Sequence, residues 1–212
     1  MKEVILKKLL FWMVLIVGIV ALIGSCAKKE ESTTTATTSA LVAASTASGS
    51  ITVGSETLSG TYATSCITAV SNLVSSNSLP SDTKAIGWLI VVRGNDNITE
   101  EFNGYTDTTC TTKNFHTNLI YDNVSVGSAS GSNYQVLQLQ TGISLLAKTT
   151  DADNWLETTY SVTLTVGTEE KATSSSIQYY GLWNLSGTTF QKGRQSTSAY
   201  PTELGSIPFT KQ

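Results

Sequence analysis

The chain has 212 residues, 14% of them charged, with a formal net charge of −3 and a single histidine. So few charges, mildly acidic in balance, argue against a nucleic-acid-binding surface, which needs clustered Lys and Arg, and one histidine beside three cysteines leaves little material for a zinc centre. Abundant serine and threonine with little charge is a pattern common in exported β proteins.

Lys2, Lys7 and Lys8 precede an uncharged apolar run of 15 residues, Leu9–Ile23. As a helix it would reach about 22 Å, short of the ~30 Å hydrocarbon core. A basic start, a short apolar run and small residues at its end form the layout of a secretory signal. Ile23-Gly24-Ser25-Cys26 resembles a bacterial lipobox. The resemblance implies cleavage between Ser25 and Cys26, a diacylglyceryl group on the Cys26 thiol, and a protein lipid-anchored in a bacterial cell envelope. Ala27 after the cysteine suits outer-membrane sorting. The alternative is an uncleaved N-terminal anchor whose cysteine is incidental. Removal of residues 1–25 leaves 10 basic and 15 acidic residues.

Residues 26–50 follow as the lipidated cysteine and a tether. From Ser32 to Ser50, 16 of 19 residues are Ser, Thr or Ala, too little apolar surface to offset ordering entropy, so a flexible tether is expected. The folded domain is expected over 51–212, starting near Ile51. Cys66 and Cys110, 44 residues apart, are an even pair in an exported chain and are expected to form a structural disulfide. A redox-active pair would want closer spacing.

Ile67, Val70, Leu73 and Val74 have helical spacing, so a short helix is expected between Ile67 and Ser75, broken around Pro80. Lys84–Arg93 is a near-continuous apolar run, expected as a strand buried on both faces. Gly94–Asn97 is a turn, and Ile98–Thr106 the hairpin partner. Phe115–Val126 and Asn133–Leu146 form the next hairpin across the loop Gly127–Ser132. Thr150–Asn154 is expected as a loop. Tyr160–Val166 alternates apolar and hydroxyl residues, predicting a strand with one wet face. Gly167–Ser176 turns the chain, and Ile177–Leu185 with Thr188–Gln191 make a last hairpin around Ser186-Gly187. The tail from Tyr200 through Phe209 is expected to pack as irregular coil across one end.

About eight strands in hairpin order predict an all-β domain: a single antiparallel up-and-down barrel, with a β-sandwich as the alternative. Gly60-Thr61-Tyr62 resembles the Gly-x-Trp that opens lipocalin-like (calycin) barrels, with tyrosine for tryptophan. Cys66 paired with Cys110 resembles the bridge of several small families of this type. The resemblance implies a lipocalin-like barrel over residues 51–212, and an arginine over the first-strand aromatic, for which Arg194 is the candidate.

Catalytic motifs are weak. His116 at a strand start is expected to be solvated or hydrogen-bonded rather than a base or ligand. Ser81-Asp82-Thr83-Lys84 matches Ser-x-x-Lys but falls in a predicted loop, and no Gly-x-Ser-x-Gly elbow is present. Glu100 and Glu101 are adjacent on a strand and face opposite sides, so they cannot cooperate. Asp151, Asp153 and Asn154 start like a calcium loop, but Trp155 and Leu156 follow where ligands should continue. The expectation is therefore no enzyme, no cofactor and no metal. It is a non-enzymatic envelope lipoprotein whose barrel holds a small hydrophobic ligand against Trp88, Trp155, Tyr179 and Trp183. The alternative is a structural or adhesin-like surface protein that contacts an envelope or host protein through exposed loops.

Overall fold

The computed structural model describes residues 41–212, apart from the side chains of Ser174 and Ser175. The expected signal segment 1–25, Cys26 and the first part of the expected tether lie outside the described residues.

Ten strands and two helices follow in order: β1 (Ile51–Val53), β2 (Glu56–Leu58), β3 (Thr61–Ala63), α1 (Ser71–Ser75), β4 (Ala85–Val92), β5 (Ile98–Tyr105), β6 (Lys113–Ser130), β7 (Asn133–Ala147), α2 (Thr150–Tyr160), β8 (Glu170–Ser186), β9 (Thr189–Lys192) and β10 (Phe209–Lys211). Strands β3 to β10 pair antiparallel in sequence order, and β10 returns to β3, so the sheet is a closed eight-stranded barrel. Closure excludes the sandwich and leaves the barrel without an open edge. The topology is the up-and-down barrel that the lipocalin-like resemblance implies. β1 and β2 form a separate hairpin.

The long apolar run becomes β4, buried at all eight positions. Ile86, Trp88, Ile90 and Val92 join the interior core. Ala85 and Leu89 belong to a second cluster outside the wall, with Leu41, Ala63, Tyr105 and Cys110. The segment 41–48 covers that outer face. Leu41 lies over Gly87, where any Cβ would stand 2.3 Å from its Cδ1. The expected flexible tether over 26–50 is corrected at its C-terminal end: residues 41–48 are strapped to the barrel. Ser48 donates its N–H to the Val92 carbonyl at 2.9 Å, and its hydroxyl reaches the Arg93 carbonyl at 2.9 Å.

Four other expectations change. Thr150–Asn154 is the start of a helix, not a loop. Thr149 caps it by accepting the Ala152 N–H at 3.2 Å, Asp151 and Asp153 sit in its first turn at the positive end of the helix dipole, and Ala152, Leu156 and Thr159 bury one face. Residues 160–166 then make no strand. The place beside β7 is taken by β8, so the alternating pattern has no edge to pair with, and its Val162 and Val166 stay exposed. The tail is not only irregular coil: Phe209–Lys211 is the strand that shuts the barrel. The first helix is also shorter than expected, because Ile67 is extended and bridges to Ile86.

Cys66 and Cys110 are disulfide-bonded, with Cα atoms 5.8 Å apart. The bridge ties the segment after β3 to the loop between β5 and β6. Asp107 organises that loop, accepting the N–H groups of Thr109, Thr111 and Thr112 at 2.8, 3.1 and 2.6 Å. Slight burial raises its pKa, but these bonds and the Thr109 hydroxyl outweigh it and hold the carboxyl far below its ordinary value.

Candidate functional site

Among the largely aliphatic inward positions of the barrel stand two aromatic clusters and, between them, several polar side chains. At the end where α2 packs, Trp88 stacks on Phe102 with centroids 4.8 Å apart. Phe102 meets Phe115 at 5.3 Å, and Phe115 meets Trp155 of α2 at 5.1 Å. Trp155 also donates its indole N–H to the Asn77 carbonyl at 3.2 Å, which fixes α2 against the segment after α1. Toward the β1–β2 hairpin, Phe190 contacts Trp183 at 5.2 Å, Tyr62 at 6.0 Å and Phe209 at 6.0 Å. Tyr134, the β7 partner of Trp183, brings its hydroxyl against Gly54 in the hairpin turn, where a Cβ would stand 2.1 Å from the oxygen.

The polar side chains lie between these clusters. Glu100 of β5 and Lys192 of β9 form an ion pair across the lumen, with side chains 13% and 17% exposed. Tyr121, fully buried, donates its hydroxyl to the Gln195 Oε1 at 3.0 Å and meets Tyr179 edge-on at 6.1 Å. Burial pushes the Tyr179 phenol up to about 12, so it is a neutral donor at any physiological pH. Gln138 pairs with Tyr179 in register. It is 1% exposed, and neither its Nε2 nor its Oε1 has a hydrogen-bond partner among the described residues.

The four residues expected around a ligand are therefore not one constellation. Trp88 and Trp155 belong to the cluster at the helix end, Trp183 to the cluster at the hairpin end, and Tyr179 to the polar group between them. Sequence reading missed Glu100, Lys192, Tyr121 and Gln138. For Glu100 the signal was present: adjacent glutamates on a strand face opposite sides, so one of the pair had to point into the barrel.

The weaker motifs acquire positions as well. Ser81 donates its hydroxyl to the Asp151 carboxylate, a surface contact that ties the loop before β4 to α2. The cation over the Tyr62 ring is Lys211 of β10, 5.9 Å from its centroid, whereas Arg194 is exposed just after β9. His116 lies on the outer wall of β6, 4% exposed. Burial lowers its pKa, the nearby Glu101 raises it and Lys113 lowers it, and the net direction is down. Among the described residues no three of His, Cys, Asp and Glu converge as a metal site, and no helix is long and apolar enough to cross a membrane.

No protein-family model matches the chain, and no curated protein matches it.

Proposed function

We propose that this chain is a lipid-anchored lipoprotein of a bacterial envelope, carried on the outer membrane by Cys26, whose barrel takes a small ligand without chemical turnover. The lipobox-like Ile23–Cys26 supports the anchor, and the closed barrel supports the carriage. The observation that carries the ligand reading is Gln138: a carboxamide buried in the lumen with both its donor and its acceptor unpartnered. Such a group costs free energy that a hydrogen-bonding ligand recovers. The aromatic clusters on either side supply the apolar contact. The ligand is hydrophobic in bulk with one hydrogen-bonding group, which the Gln138 amide and the Glu100–Lys192 pair address.

Native mass spectrometry of the full chain exported by a bacterial host tests both parts. A diacylglyceryl mass on a chain beginning at Cys26 is the expected anchor. An adduct of a few hundred daltons, retained in the native spectrum and released on denaturation, is the expected ligand. An unlipidated chain would remove the anchor, and a clean apo mass would remove carriage. Carriage lost, the exposed tip of the β6–β7 hairpin, residues 127–132, becomes the place to look for a protein partner.

A further inference from the structure

Residues 49–59 leave the barrel and return to it at one point. Ser48 donates its N–H to the Val92 carbonyl at 2.9 Å, and the Val92 N–H donates to the Gly60 carbonyl at 3.0 Å. The end of β4 thus holds both feet of the segment, the geometry of a compact surface loop with closed ends. Each foot carries a glycine in the left-handed region, Gly49 at φ +69° and Gly60 at φ +85°, a conformation that a Cβ would strain. Between the feet, β1 and β2 pair with each other and with no strand of the barrel.

The segment lies across one mouth of the barrel. Its feet stand on β4, its turn at Gly54 meets the Tyr134 hydroxyl of β7, and both of its strands contact β8, which is opposite β4 in the ring. Ile51, Val53 and Leu58 are buried in the same interior core as Trp183, Phe190, Tyr62 and Phe209. The other mouth is shut more firmly. There α2 is capped by Thr149, donates the Trp155 indole N–H to the Asn77 carbonyl at 3.2 Å, and accepts the Leu164 N–H on Glu157 at 2.8 Å. It also buries Ala152 and Leu156 completely.

We propose that residues 49–59 are the lid of the barrel. The hairpin lifts off the mouth, turning at Gly49 and Gly60 while Val92 keeps both feet in place, and the ligand enters and leaves there with the α2 end closed. This rests on the ligand reading above. Lifting the hairpin breaks apolar contacts but no ladder of hydrogen bonds to the barrel, whereas opening the α2 end breaks cap, helix and core together. An open lid exposes Ile51, Val53 and Leu58 to water, so burial drives it shut. A bound apolar ligand adds to that burial and holds the lid down.

Two measurements on the full chain test this. The first is hydrogen exchange of the unmodified chain, read by mass spectrometry at increasing urea below the unfolding transition. An isolated two-stranded hairpin is marginal in water, so the amides of residues 51–58 exchange at each lifting. They are expected to exchange about a hundredfold faster than those of α2 and with little dependence on urea, while the α2 amides follow global unfolding. The second uses N-phenyl-1-naphthylamine, an apolar probe with one N–H, followed by stopped-flow energy transfer from tryptophan. Leu58→Ala is expected to speed both its entry and its release about tenfold, and Leu156→Ala to leave both unchanged. Hairpin amides that exchange only through global unfolding, α2 amides that open first, or equal probe kinetics in the two variants would overturn the lid. A probe that never binds the native chain would remove the ligand reading instead, and the exchange comparison would still decide the lid.

Discussion

Glu100 and Lys192 meet inside the barrel, from strands on opposite sides of it and 92 residues apart in the chain. Each is mostly removed from water, so the value of the pair lies in its being complete. Lys192→Met or Glu100→Gln alone should destabilise the fold by about 3 kcal/mol, because each leaves a charge buried without a counter-ion. The double substitution should recover much of that loss. Urea midpoints of the four proteins give the comparison, and a double mutant no better than the sum of the two singles would show that the residues act independently.

The Cys66–Cys110 bridge closes a loop of 44 residues. Loop-closure entropy values such a link at roughly 4 kcal/mol. Cys66→Ser with Cys110→Ser should lower the unfolding free energy from urea melts by a comparable amount, and with it the midpoint, while far-ultraviolet circular dichroism stays that of a β protein. An unchanged midpoint would mean that the loop is already held in the unfolded chain or by Asp107.

His116 should make stability fall on acidification. Its folded pKa is lowered, so the folded state holds the proton less tightly than the unfolded chain. The stability is therefore fully present above the unfolded value of about 6.5 and is lost as pH falls below it toward the depressed folded value. His116→Gln should flatten Tm over that window, between about pH 7 and pH 5. A slope that persists in the variant would place the effect on another group.

Leu156 of α2 is fully buried and belongs to the core that closes the helix end of the barrel. Leu156→Ala should cost about 2–5 kcal/mol through lost burial and the cavity left behind. Thr149→Ala, which removes only the cap, should cost about 1 kcal/mol. Equal losses in thermal melts would mean that α2 is held by its N-terminus rather than by its buried face.

Much of the barrel was legible along the chain because strands β4 to β7 carry their own punctuation. The Gly94–Asn97 turn and the apolar run before it placed the first long hairpin, and the Gly-Ser loop placed the next. The segment from Thr149 to Val166 was misread for a physical reason. Its alternation is a strand pattern, but a strand needs a free edge, and which edges are free is decided by pairings distant in sequence. The same holds for Phe209–Lys211, three residues too short to announce a strand, which become one because β3 and β9 flank the gap.

The candidate site was less legible still. Aromatic residues stood out in the sequence, yet their division into two clusters depends on register, and Gln138 is an unremarkable glutamine until the pleat points it inward beside Tyr179.

By itself, the order and spacing of residues determined an all-β domain of hairpin-linked strands, a bridge between two particular cysteines, and a buried run from Ala85 to Val92. Those features depend on local periodicity and on pairing within short range. Only the tertiary structure decided why that run is buried on its outer face: Leu41 lies over Gly87, and the segment it belongs to is held by a hydrogen bond from the Ala44 N–H to the Glu101 carboxylate, 57 residues away in the chain. It also decided which of two adjacent glutamates faces Lys192 and which holds the strap, since closing a barrel assigns inside and outside to every strand at once.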